Sequence, residues 1–429
     1  MQIIKYPAKN TWSELLKRPV MNLDEVEEKV KPIMQAVKTN GDKALKDFTE
    51  KFDQVKIDDL KVSSYEVKKA IEAVPEELKA AISNARNNIE KFHVVQKELV
   101  KKVETMPGVM CWRKSVPIDK VGLYIPGGTA PLFSSVLMLG IPAKLAGCQE
   151  IALCTPPDKN GKINPAILFT ADLVGIKNIY KCGGAQAIAA FTFGTETIPA
   201  VDKIFGPGNQ YVTAAKQIAT KYGVGIDMPA GPSEVAVMAD STANPKFIAA
   251  DLLSQAEHGV DSQVIMVTND ALLAEATEKE VARQVGELPR RDIAKQALEN
   301  SKIILVDSLD TSVELINQYA AEHLIIAMEN AEQVGERITN AGSVFLGHYT
   351  PESAGDYASG TNHTLPTNGY ARVYSGVSLD SFFKKITFQK ITSEGLKQIG
   401  ITIERMAAAE QLEAHKKAVS IRLEEIRKR

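Results

Sequence analysis

Aromatic residues make up only 6% of this chain, cysteines number four and histidines six, and each scarcity closes a class of answer. Cys111, Cys148, Cys154 and Cys182 show neither the close pairing of a zinc knuckle nor a disulfide framework. They read instead as small buried apolar residues. The longest apolar stretches are broken by Gly or Pro well short of a membrane span. The start, Met1 to Asn10, has no charged head followed by an apolar run, so a cytoplasmic location without a membrane partner is expected. An excess of one charge is missing too: 51 Lys plus Arg face 53 Asp plus Glu, which gives no electrostatic case for nucleic acid. There is no tandem repeat, no low-complexity tract and no G-x-G-x-x-G turn.

What remains is a long chain, 429 residues and 44% hydrophobic, able to bury a large core in two or more domains. Up to about residue 105 apolar residues recur three and four apart, the spacing of packed helices, as in Leu23 to Val37 and the long run after Pro75. From Val121 the texture changes to short β-branched runs alternating with helical segments, which specifies parallel sheets with crossover helices. One such passage runs from Val121 to Asn209, and a second from Glu234 to Phe345. Three glycine turns follow strands in the first: Pro126-Gly127-Gly128, Gly183-Gly184 and Gly206-Pro207-Gly208-Asn209. Such turns bring backbone N–H groups to helix starts, where phosphate binds, but βα turns favour glycine in any case. Tyr349 to Tyr374 reads as a long polar loop, and the chain from Ser393 as helix.

The six histidines are few enough to inspect singly. His93 and His348 suit structural roles, whereas His258, His323, His363 and His415 keep polar company in Gln255, Glu322, Asn362 and Glu410. Gln255 and His258 stand three apart at the end of a helix opened by Asn244 and Pro245, so both project from one face. A histidine there also opposes the negative end of the helix dipole, an ordinary structural role. Imidazole and carboxylate ligands spread over several elements can form a metal site without cysteine, though spacing alone does not show that they converge.

Longer motifs carry more. Val121-Gly-Leu-Tyr124-Ile-Pro-Gly-Gly128, Cys182-Gly-Gly-Ala-Gln186-Ala187, Ile204-Phe-Gly-Pro-Gly-Asn209, Asp227-Met-Pro-Ala-Gly-Pro-Ser233-Glu234 and Asp251-Leu-Leu-Ser-Gln-Ala-Glu-His-Gly259 occur in this order. Ala321-Glu-His-Leu324, Ala358-Ser-Gly-Thr-Asn-His363, Leu365-Pro-Thr367 and Glu410 with His415 follow them. Together they resemble the histidinol dehydrogenase family over most of the chain beyond residue 120.

The resemblance implies two doubly wound, Rossmann-like α/β domains lacking the usual dinucleotide fingerprint, with a short N-terminal arm and a helical C-terminal tail. Its segments would be an arm at 1–22, a main domain at 23–123 and 235–377, an inserted domain at 124–234 and the tail at 378–429. It implies NAD- and zinc-dependent oxidation of L-histidinol through the aldehyde to L-histidine, the last step of histidine synthesis. Zinc would be held by Gln255, His258, Asp356 and His415, the last supplied across a homodimer. Glu322 and His323 would be the acid/base pair, with Ser233, Glu410, His323 and the metal residues on substrate. Tyr124, Gln186 and Asn209 would contact NAD.

Those residue types suit the chemistry. Oxidising an alcohol needs a base for the hydroxyl proton, and an imidazole serves at neutral pH. The second oxidation needs water added to the aldehyde, for which Glu322 is the neighbouring carboxylate. Adjacent strand residues point to opposite faces, so the pair is expected in a turn before Leu324. Glu410 and His415 are five apart, about 140° around a helix, so a break between them is expected. Two other readings use the same residues: a zinc hydrolase in which Glu322 activates water, and a non-catalytic nucleotide-binding protein.

Overall fold

The run Glu234–Ala239 is apolar after its first residue and buried on both faces, as a central parallel strand must be. In the computed structural model, which describes residues 1–19, 23–127, 131–229 and 231–428, it lies inside a six-stranded sheet. Side by side stand Gln2–Lys5, Lys302–Leu305, Gln263–Thr268, Glu234–Ala239, His323–Ala327 and Ser343–Leu346, all parallel. Alternate residues feed opposite cores: Val235 and Val237 pack with Ile248 and Leu252, Ala236 and Met238 with Trp12 and Ile316. Helices therefore cover both faces, which is the doubly wound arrangement expected.

A second parallel sheet has five strands, in the order Asn178–Lys181, Glu150–Thr155, Lys120–Tyr124, Lys203–Phe205, Gly225–Ile226. Both sheets grow outward from their first central strand, Lys120–Tyr124 here and Glu234–Ala239 in the other, before the chain returns to that strand's opposite side. In the five-stranded sheet that reversal opens a crevice at the carboxyl ends of the strands, where α/β sheets bind ligands. Gly128 of the first glycine turn and Ala230 before Ser233 lie outside the described residues, as does 20–22 of the expected arm.

These sheets belong to a unit formed by Met1–Gln96 and Ile118–Phe382. A second unit, Lys97–Pro117 and Phe383–Arg429, is built on an antiparallel sheet of Phe383–Ile391, Val109–Pro117 and Lys102–Met106, followed by helices Ser393–Ala409 and Glu413–Lys428.

Several expectations change. The expected arm begins with Gln2–Lys5, an edge strand of the large sheet. The tail is helical only from Ser393, because Phe383–Ile391 pairs with Val109–Pro117. That hairpin partner hid in the sequence because its strands are largely exposed and carry Lys and Glu, which blunts the alternation. The loop after Tyr349 contains a helix, Glu352–Tyr357. Among the described residues no helix is long and apolar enough to cross a membrane.

Candidate active site

The central relationship is a parallel register: His323 lies opposite Val235, so Glu322, His323 and Glu234 meet at the amino edge of the large sheet. Glu322 immediately precedes the strand, and its Oε2 accepts the Glu234 N–H at 2.9 Å. The strand begins at His323 itself, one residue earlier than the turn expected. Glu322 Oε2 lies 3.6 Å from His323 Nδ1, so the pair still shares one site.

Gln255 arrives from the last turn of the helix Pro245–Ala256, whose start is fixed by Pro245 and by the Asn244 side chain accepting the Lys246 N–H at 3.0 Å. Its Nε2 donates to Glu234 O at 3.2 Å and to Glu322 Oε2 at 3.3 Å. Its Oε1 is buried with no donor among the described residues. The helix stops at Ala256, so His258 stands in the turn beyond it, its N–H donating to Gln255 O at 3.2 Å. His258 is exposed in area, yet enough protein surrounds its ring for desolvation to lower the imidazole, against the pull of Asp356.

The short helix Glu352–Tyr357 supplies two carboxylates. Asp356 Oδ1 lies 3.3 Å from His323 Nε2, and Glu352 Oε1 lies 3.8 Å from His323 Nδ1. Ligand atoms of His323, Glu352 and Asp356 all fall within 4.8 Å of one another. Burial alone would lower the His323 imidazole, but Glu352, Glu322 and Asp356 raise it well above its usual value. Burial raises the Glu352 carboxyl, while histidines outweigh burial at Asp356 and hold it low. Asp356 is steadied from behind, its carbonyl 2.9 Å from His363 Nδ1, whose Nε2 meets Ser135 Oγ at 3.0 Å.

Glu352 was not among the expected site residues. The signal for it was the four-residue spacing to Asp356, which puts both on one helix face once a helix is recognised there. Arg18 was also missed, and no local pattern marks it. Its Nε and Nη2 grip Glu234 Oε1 and Oε2 at 2.5 and 2.8 Å, and its guanidinium lies 4.1 Å from the centroid of the Tyr319 ring.

The donor set suits a divalent cation. Gln255 Oε1, buried without a partner among the described residues, and the mutually interacting His258 imidazole and Asp356 carboxylate are the oxygen and nitrogen ligand types that zinc accepts. Ser233 is half-buried just ahead of Glu234. Glu410 and His415 are exposed in the second unit. Helix Ser393–Ala409 ends at Glu410, Gln411 takes φ 61°, and the next helix begins at Glu413, which is the expected break.

Tyr124, Gln186 and Asn209 come together elsewhere, in the lining of a cavity of about 1020 Å³ at the carboxyl ends of the five-stranded sheet. Tyr124 Oη accepts the Gly184 N–H at 3.1 Å, and Asn209 caps the helix Gln210–Thr220 through Tyr211 N and Val212 N. Glycine allows the approach: Gly206 has φ 130°, and a Cβ there would overlap the Tyr124 carbonyl oxygen.

A large crevice at the carboxyl ends of one doubly wound sheet and a buried imidazole among carboxylates on a second are the two parts, a nucleotide pocket and a proton-handling site, of an α/β enzyme of the dehydrogenase type. The fold alone is shared with a putative aldehyde dehydrogenase from Burkholderia cenocepacia, at TM-score 0.50 and 13% identity over 76% of this chain and 84% of that one. Residues 16–423 match the family model for histidinol dehydrogenase. A histidinol dehydrogenase from Bacteroides thetaiotaomicron is 62% identical over 99% of both chains. The crystal structure of histidinol dehydrogenase from Elizabethkingia anophelis superposes at TM-score 0.97, with 60% identity over 100% of this chain and 99% of that one. The chain belongs to the histidinol dehydrogenase family, which catalyses the last step of histidine biosynthesis. It is therefore an oxidoreductase, and both the hydrolase and the non-catalytic readings fall.

Proposed function

We propose that this chain oxidises L-histidinol through L-histidinaldehyde to L-histidine, with NAD in the cavity lined by Tyr124, Gln186 and Asn209. Zinc is held by Gln255, His258 and Asp356, with His415 contributed by a second copy, and the enzyme works as a homodimer in the cytoplasm. NAD when bound accepts hydride, and zinc when bound orients substrate and polarises its oxygen. The chain's own residues do the rest. His323 accepts the hydroxyl proton in the first oxidation and again from the aldehyde hydrate in the second. Glu322 takes a proton from the water that adds to the aldehyde. Ser233 and Glu410 position the substrate.

The observation that supports this most is the setting of His323, buried with Glu322, Glu352 and Asp356 around it. Its Nδ1 lies 3.3 Å from both the Glu234 carbonyl and Gln255 Nε2, and the carboxylates around the ring favour its protonated form; a cation at Asp356 would oppose that and free the ring to act as a base. Asp356 reads as a ligand shared between this imidazole and the cation, and Glu352 as the group that holds His323 from the other side. The test is a spectrophotometric assay with L-histidinol and NAD. Two NADH per histidinol supports the proposal; no NADH from zinc-loaded enzyme ends it.

A further inference from the structure

Asp53 closes the long helix Leu23–Asp53 and carries three unfavourable features at once. As a carboxylate at a helix carboxyl end it meets the negative pole of the dipole. Its Oδ2 is buried with no hydrogen-bond partner among the described residues. The next residue, Gln54, takes φ 57°, a left-handed conformation that costs a side-chain-bearing residue free energy. Burial pushes the carboxyl up to about 6. Such an arrangement persists where a ligand compensates for it.

Asp53 lines the same cavity as Tyr124, Gln186 and Asn209. So does Thr155, at the end of its strand, whose buried Oγ1 also lacks a partner among the described residues. Two polar groups in one cavity wall thus have no hydrogen-bond partner among the described residues. The ligand part that meets Asp53 must donate and must not be anionic, because an unpaired carboxylate repels phosphate, and the ribose hydroxyls of a dinucleotide meet both conditions. Phosphate has a better place beside Lys29, Lys159 and Lys162 in the same lining. Next to Asp53 on the helix, Phe52, with Ile33, offers apolar surface for a base ring.

Resting on the reading that this cavity takes NAD, we propose that Asp53 accepts a hydrogen bond from the ribose of the adenosine half and excludes a 2′-phosphate there. It is a specificity-determining residue for the dinucleotide. In fingerprint-bearing folds the acid that reads this ribose follows the second strand. Here that strand ends in Thr155, and the acid comes from a preceding helix instead.

The experiment titrates zinc-loaded full-length protein, wild type and Asp53→Asn, with NADH and with NADPH by cofactor fluorescence. It also records the melting temperature without cofactor and the KM values. The expected result is NADH binding weakened about tenfold in Asp53→Asn, as for loss of a charge-assisted hydrogen bond. NADPH binding holds or improves, KM for NAD rises against an unchanged KM for histidinol, and the cofactor-free variant melts higher. Unchanged NADH affinity overturns the proposal, as does an equal loss for both cofactors. A lower melting temperature in the variant would make Asp53 a structural anchor and likewise overturn it. Wild type that binds no NADH sinks the cavity reading together with this one, so the two failures are distinct.

Discussion

Arg18 and Glu234 form a two-pronged ion pair, both side chains almost entirely buried, that ties a residue near the amino terminus to the strand beside the His323 imidazole. Glu234 is a linchpin because its main chain does the site's work: its carbonyl meets Gln255 and His323, and its N–H meets Glu322. Its side-chain Oε1 also accepts the Asn368 N–H at 2.6 Å. Burial raises the Glu234 carboxyl, and Arg18 opposes that rise. Arg18→Met leaves a buried carboxylate without its partner, a situation that costs about 3–5 kcal/mol. The expected outcome is a correspondingly lower unfolding midpoint in urea together with a lower kcat. Arg18→Lys rescues neither fully, because a lysine cannot reproduce the planar fork. Normal stability in Arg18→Met would show that the pair is dispensable.

His323 and His258 should fail differently. His323→Asn removes the proposed base and is expected to lower kcat about a hundredfold to ten-thousandfold while zinc content stays near wild type. His258→Asn is expected to lose zinc on dialysis, read by metal analysis, with activity partly restored by excess zinc. If His323→Asn loses the metal instead, the cluster of His323, Glu352 and Asp356 is itself the ligand set.

Much of this arrangement was legible in the sequence. The start of the second α/β passage at Glu234 and the helix opened by Asn244 and Pro245 were readable because a short β-branched apolar run and an Asn-Pro start leave strong local signals. The Glu410 to His415 break was readable because helix geometry forbids five-residue neighbours from sharing a face. Arg18 was not, since a contact 216 positions away in sequence has no local signature. Glu352 was lost when its helix was taken for loop: six residues between Pro351 and Ala358 are too few to show a period. The hairpin Lys102–Pro117 was lost because half-exposed strands rich in charge do not alternate cleanly.

His415 provides a test of assembly. If it completes the site of a second copy, co-expressing His415→Asn with His323→Asn subunits creates heterodimers in which one of the two sites has both residues intact. Random pairing then restores roughly a quarter of wild-type activity from two inactive variants. A mixture as inactive as its parents would place His415 in its own subunit's site. The tail is suited to a partner, with Ile401, Met406, Leu412 and Ile421 all exposed.

Asp251 sets a pH dependence of stability. Burial pushes its carboxyl up to about 7, and the Glu352 backbone hydrogen bond only partly opposes this. In the unfolded chain it titrates near the ordinary aspartate value of about 4. Between those values the folded state therefore binds more protons, and this group's contribution to stability falls as pH rises through the window. Asp251→Asn, which carries no charge, should melt higher than wild type at pH 8, with the gain shrinking as pH approaches 4. An equal difference at both pH values would mean that packing, not ionisation, is being measured.

Gly206 links the cavity to the frame that holds it. Its N–H donates to Asp227 Oδ2 at 2.8 Å, its carbonyl accepts from Lys216 Nζ at 3.0 Å, and Lys216 and Asp227 form a buried ion pair. The turn is thus held on both sides while its φ of 130° and the Tyr124 carbonyl leave no room for a side chain. Gly206→Ala must either strain the backbone or push Tyr124 away, at a cost of about 2–4 kcal/mol. Because Tyr124 and Asn209 flank the turn, the same displacement should weaken NADH binding more than zinc binding. A calorimetric titration showing NADH bound as tightly as in wild type, in a protein melting at the wild-type temperature, would mean the turn relaxes freely and does not shape the cavity.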